Sequence, residues 1–144
     1  MNIKERELDA TGKVIEEAKN LRYKKGDLYK RERHEAIDYI EKNYPETAKE
    51  FQRLQFEQWL LFCKKQMDYG PSNISMGTDL KTEDEKRLSL VGLIVRVNDK
   101  VQRLLNLIVK NNRNAQNEPT VDAFKDLACY GIIAQIVQSG KWGK

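Results

Sequence analysis

Thr82 followed three residues later by Glu85 has the form of a capping box, and the run it opens repeats apolar residues at helical steps to about Lys110. Leu90, Ile94, Val97, Val101, Leu104, Leu105 and Ile108 mark the face expected to point inward. A helix this long commits much of the chain to packing other helices against it. With only 8 glycines and 3 prolines and 33% charged residues, the remaining sequence offers long solvated helices rather than short strands joined by turns. The predicted class is all-α, a compact bundle of about five helices. The 144 residues fit one domain, with 1–45 as an N-terminal helical extension and 46–140 as the core.

Other segments follow the same logic. Residues 2 to 22 read as a loosely amphipathic helix interrupted by Gly12, and a basic stretch, Arg22 to Arg31, carries Tyr23 and Tyr29. One such cluster is a solvated linker more readily than a nucleic-acid surface, which uses many phosphate contacts. A short helix with Ala36, Ile37 and Ile40 on one side comes next. Pro45 suits a first helical turn, and from Ala48 to Met67 the residues Phe51, Leu54, Leu61 and Phe62 form a face widened by Trp59, Leu60 and Cys63. That helix is predicted to be central. Asp68 to Gly77, with two glycines and Pro71, reads as a loop where binding groups can sit. A last helix runs from about Pro119 to Gln138, with Val121, Phe124, Leu127, Ala128, Ile132 and Ile136 expected inside and Gly140 as its stop.

Composition excludes several chemistries. Cys63 and Cys129 lie far apart in apolar helical patterns, which suits buried thiols and not a zinc or redox pair. His34, the single histidine, sits in a charged stretch as a surface residue, so no nucleophile with a base is visible. No apolar run approaches the 18 or so residues that cross a bilayer, and the N-terminus lacks a signal-peptide layout, so the cytoplasm is the expected location. A net charge of +4 is compatible with anionic partners without selecting one. There is no Walker-type glycine loop, so any phosphate must be gripped by side chains.

Two polar sets stand out. Arg96, Asp99, Lys100, Arg103 and Asn106 recur at steps of three and four on the long helix, either as a solvated face with an Asp99–Arg103 pair or as part of a site. Glu118, Asp122 and Asp126, spaced by four, place three carboxylates along one line of the last helix. First-turn acids suit a helix N-terminus, but Asp126 lies beyond it. Together the three suit Mg²⁺, held by carboxylates plus substrate phosphates; alternatively they pair with Arg96, Lys100 or Arg103 across the helix interface.

Lys65-Gln66-Met67-Asp68-Tyr69-Gly70, Arg96 through Leu107, and Glu118 followed by Asp126-Leu127-Ala128-Cys129-Tyr130 resemble the nucleotide modification associated domain, type one, found largely in bacteriophages and bacteria. The resemblance spans roughly residues 55 to 138. That family is related in turn to all-α nucleoside triphosphate pyrophosphatases of the MazG type, which hold Mg²⁺ with helical carboxylates. By position, the resemblance implies Asp99, Glu118, Asp122 and Asp126 as catalytic acids if the protein is an enzyme, with Glu118, Asp122 and Asp126 on the metal. It implies Arg96, Lys100 and Arg103 at phosphates, and Lys65, Asp68, Tyr69 and Asn106 around base and sugar. The Glu-x-x-Glu pair of the pyrophosphatases is missing, and Asp99 is followed at i+3 by Gln102.

Phosphate-binding cations beside an incomplete acid set read as a binder of a nucleotide or cyclic nucleotide, in nucleotide metabolism or in sequestering a nucleotide immune signal. A Mg²⁺-dependent pyrophosphatase at the same place is the alternative, and a helical interaction module without ligand is a third. The resemblance also implies a homo-oligomer, for which the face from Phe51 to Phe62 would accept a partner helix.

Overall fold

The computed structural model describes residues 34–144; the expected helix at 2 to 22 and the basic stretch at 22 to 31 lie outside the described residues. The chain divides into two units, residues 1–48 and 49–144. In the first, α1 (Glu35–Asn43) is N-capped by His34, whose Nδ1 accepts from the Ala36 amide at 3.2 Å. His34 is exposed, as expected, and so are Ala36, Ile37 and Ile40. Pro45 opens α2 (Pro45–Tyr69), which crosses the boundary between the units.

The second unit holds the rest of α2, a single turn α3 (Ser72–Ser75), the long α4 (Glu83–Leu104), and α5 (Thr120–Gln138). Among the described residues every element is helical, in five α-helices with no strand, so the fold is all-α. Thr82 and Glu85 close the capping box in both directions. Beyond Leu104 the backbone widens into a π-helical segment, Leu105–Lys110, closed by Asn111, whose Nδ2 donates to the Asn106 carbonyl and to Asn106 Oδ1, both at 2.8 Å. The stretch from 68 to 77, expected to be a loop, contains α3 between Gly70 and the left-handed Met76 and Gly77.

The core is Ile74, Leu80, Leu93, Ile133, Val137 and Trp142, with Phe62, Leu90, Cys129 and Tyr130 packed against it. Lys100 meets Asp126 and Arg103 meets Pro119, so α4 and α5 run antiparallel. The face of α4 turned to its neighbours is Ser89, Leu93, Arg96, Lys100 and Arg103, at steps of three and four, and Leu107 of the π-helical segment is buried beyond it. This corrects the expected inward face: Leu90, Val97 and Leu104 are half-buried, but Ile94, Val101, Leu105 and Ile108 are exposed. The helix carries two apolar stripes, and polar contacts decide which one faces in. Fully buried Ser89 donates its hydroxyl to the Ile74 carbonyl at 2.6 Å, and Arg96 donates to the Asn73 carbonyl at 2.9 Å. A Cβ at Gly92 would lie 3.0 Å from Met76 Sδ, the flexible end of an exposed side chain just after α3.

The same correction applies to α5. Ala123, Ile133 and Val137 are buried and Leu127 and Ile136 half-buried, whereas Val121, Phe124, Ala128 and Ile132 are exposed. Nor is α2 central: Phe51, Leu54, Trp59, Leu60 and Leu61 are exposed, and only Phe62 and Cys63 of the expected face are partly covered. Its apolar residues surround the helix, and a single stripe can reach α5. Gly140 ends α5 at φ 69°, and the chain then returns Trp142 to the core, its Nε1 donating to the Pro71 carbonyl at 3.0 Å. Among the described residues no helix is long and apolar enough to cross a membrane.

Candidate functional site

Facing stripes of α4 and α5, the end of α2 and the α3 turn enclose a cleft of about 310 Å³. Phe62, Cys129, Ile74 and Ile133 form its apolar floor; Lys65, Gln66, Tyr69, Asn73, Arg96, Asp126 and Tyr130 supply its polar walls and rim. The volume sits at the lower end of the roughly 300–1,000 Å³ usual for small-ligand sites. Helical spacing explains the gathering: Lys65 and Tyr69 are one turn apart on α2, as are Asp126 and Tyr130 on α5.

The electrostatic centre is Asp126. Its Oδ2 lies 2.7 Å from Lys100 Nζ and its Oδ1 accepts from Lys65 Nζ at 3.2 Å. Burial by itself would raise this carboxyl, but hydrogen bonds from Lys100 and Lys65 outweigh that and hold it below the ordinary carboxylate range. Its bond to Asp126 in turn raises Lys100, against the opposing effect of desolvation, with weaker help from Tyr130 and Glu118. Arg96 adds a third cation, tied through Nη2 to the Asn73 backbone. Two lysines thus share the Asp126 carboxylate, and Arg96 on the cleft wall has no carboxylate partner of its own among the described residues, which leaves the site an excess of positive charge. Asn73 Oδ1 is buried with no hydrogen-bond donor. Burial also pushes the Cys129 thiol up, so at neutral pH it is a protonated wall residue; Cys129 and Cys63 are free and half-buried rather than fully inside.

Of the sequence candidates, the structure therefore brings together Lys65, Tyr69, Arg96 and Asp126, with Lys100 on the carboxylate. Asp68, Asp99, Arg103, Asn106, Glu118 and Asp122 do not line this cleft. Arg103 does not use its guanidinium on Asp99; it donates to the carbonyls of Glu118 and Pro119 at the uncapped start of α5. Asn106 is engaged by Asn111 in the π-helical segment, and Asp68, Asp99 and Glu118 are exposed.

Glu118 lies just before α5, and Asp122 and Asp126 within it face different partners. Asp126 faces its two ammonium groups, Asp122 lies 3.8 Å from Lys125 Nζ, and among the described residues no group of three or more acid, histidine or cysteine side chains is placed to hold a metal. For Asp126 the interfacial ion pair, the alternative reading of that spacing, is what the structure shows. Residues that lay outside the candidate set are Gln66, Asn73 and Tyr130. An asparagine in a Gly/Pro-bounded turn is ordinarily read as turn chemistry, and Tyr130 continues an apolar period, so neither carried a separate signal. No protein-family model matches the chain, and neither a curated protein nor a solved structure matches it.

Proposed function

We propose that this cleft binds a nucleotide, linear or cyclic, and that the protein is a binder rather than a hydrolase. The roles that fit are nucleotide metabolism or sequestration of a nucleotide immune signal, of the kind the phage and bacterial resemblance implies, in the cytoplasm. The supporting observation is the pair of lysines, Lys65 and Lys100, on Asp126, with Arg96 on the wall of the same apolar-floored cleft. Lys65 and Arg96 offer charge-assisted hydrogen bonds to phosphate oxygens, and the exposed Tyr69 ring at the rim can stack on a base. The scattered carboxylates favour binding over hydrolysis: any Mg²⁺ would arrive with the ligand's phosphates instead of waiting on a resident acid cluster. We also propose a homo-oligomer, which the exposed apolar residues between Phe51 and Leu61 support.

Calorimetric titration with mono-, di- and triphosphate and cyclic nucleotides, with and without Mg²⁺, tests the ligand reading, each mixture then being assayed for products. Binding without product is expected. Lys65→Ala should weaken it about tenfold, the value of one charge-assisted contact. Mg²⁺-dependent release of monophosphate and pyrophosphate would make the pyrophosphatase the correct reading. No heat with any nucleotide from a folded sample would overturn both and leave the interaction module.

A further inference from the structure

The outward stripe of α4, continued into the π-helical segment after it, has no partner among the described residues. Val91, Ile94, Val101, Leu105 and Ile108 repeat at alternating steps of three and four with Asn98 among them, and Val95 broadens the stripe. All six apolar side chains are exposed, Ile94 at 65%. With Leu88 and Val109 at its two ends, the stripe leaves an open apolar area on the order of 700 Å², near the about 800 Å² that each partner contributes to a standard interface. Arg87, exposed four residues before Val91, borders the stripe at its first end, and between Val91 and Ile108 no charged residue lies within it, since Arg96, Lys100 and Arg103 point to the opposite side.

We propose that this stripe is the seam of an antiparallel, two-fold dimer of the chain with a second copy of itself through α4. The inference rests on the homo-oligomer part of the reading above, independently of the nucleotide. Its polar centre selects the occupant. Gln102 Nε2 donates to Asn98 Oδ1 at 3.4 Å, so two amides sit together in the middle of an otherwise aliphatic surface. Against an aliphatic partner their remaining donors and acceptors would be buried unsatisfied. A two-fold axis at the level of residue 100, within the α-helical part of the seam, places Asn98 opposite the partner's Gln102. Both amides are then satisfied, and each contact occurs twice, as an isologous interface requires. A polar residue inside an apolar seam also sets its register.

Sedimentation of the full chain at micromolar concentration should give a mass about twice 16.8 kDa. Ile94→Glu should weaken association at least a hundredfold while far-UV circular dichroism stays unchanged. Phe124→Glu, which puts the same charge on an exposed apolar position of α5, should leave the dimer intact. In a Cys63→Ser, Cys129→Ser background, an equimolar mixture of Asn98→Cys and Gln102→Cys chains should cross-link more readily than either alone. A dimer lost with Phe124→Glu but kept with Ile94→Glu would overturn the α4 seam and leave a homo-oligomer through another face. A monomer at all concentrations would overturn both. Cross-linking strongest in Asn98→Cys alone would refute the proposed register.

Discussion

Asp126 carries more of the site than any other residue. Because its folded carboxyl titrates below the ordinary aspartate value, its contribution to stability is full above about pH 4 and is lost as the pH falls through the folded value. Lys100 is raised, so its contribution is full below about pH 10.4 and is lost as the pH rises through its folded value. A stability plateau between these limits is expected. Asp126→Asn should flatten both limbs and cost about 1.5–3 kcal/mol at pH 7 by urea denaturation, the value of a hydrogen bond to a charged group. Undiminished pH dependence in that variant would show that other groups carry it. The spacing of Asp126 from Glu118 is compatible with metal binding and with ion pairing alike; the structure pairs Asp126 with two lysines, of which Lys65 comes from a helix some sixty residues earlier. That neighbour is a tertiary fact with no local signature.

At the scale of elements, the sequence showed which segments are helices far better than which way they face. Thr82–Glu85, Pro45 and Gly140 stand at their expected boundaries because caps and stops are local chemistry. The rotation of α4 and α5 was not legible, since each helix has apolar residues on both sides and the choice between them rests on Ser89, Arg96 and Asp126, polar residues that a hydrophobic period ignores. The return of the chain after α5 was hidden for a similar reason: Trp142 stands alone beyond Gly140, with no periodicity to place it. At 7% exposure, packed edge-on against Phe62 and bonded to the Pro71 carbonyl, it closes the core over α3. Trp142→Ala should cost about 3 kcal/mol, as large-to-small core changes at aromatic positions do. A loss below about 1 kcal/mol by thermal or urea unfolding would mean that the tail does not hold the core.

For the molecule as a whole, a helical protein follows from composition and capping, whereas its site required the α2 end, the α3 turn and two antiparallel helices to meet. Of the candidate site residues read from sequence, four line the resulting cleft, namely Lys65, Tyr69, Arg96 and Asp126. Arg103, Asn106 and Asp99 share their helix but lie farther along it or on its open side. The exposed apolar stripes on α2, α4 and α5 mark the other surface of consequence, where partners are to be sought. The most direct measurement on the cleft is to incubate the purified protein with a broad nucleotide pool, separate the retained fraction from the filtrate, and analyse both by mass spectrometry. The expected result is an intact nucleotide enriched with the protein and lost from an Arg96→Ala variant of unchanged helicity. Retained and filtrate fractions matching a protein-free blank would contradict nucleotide binding at this site.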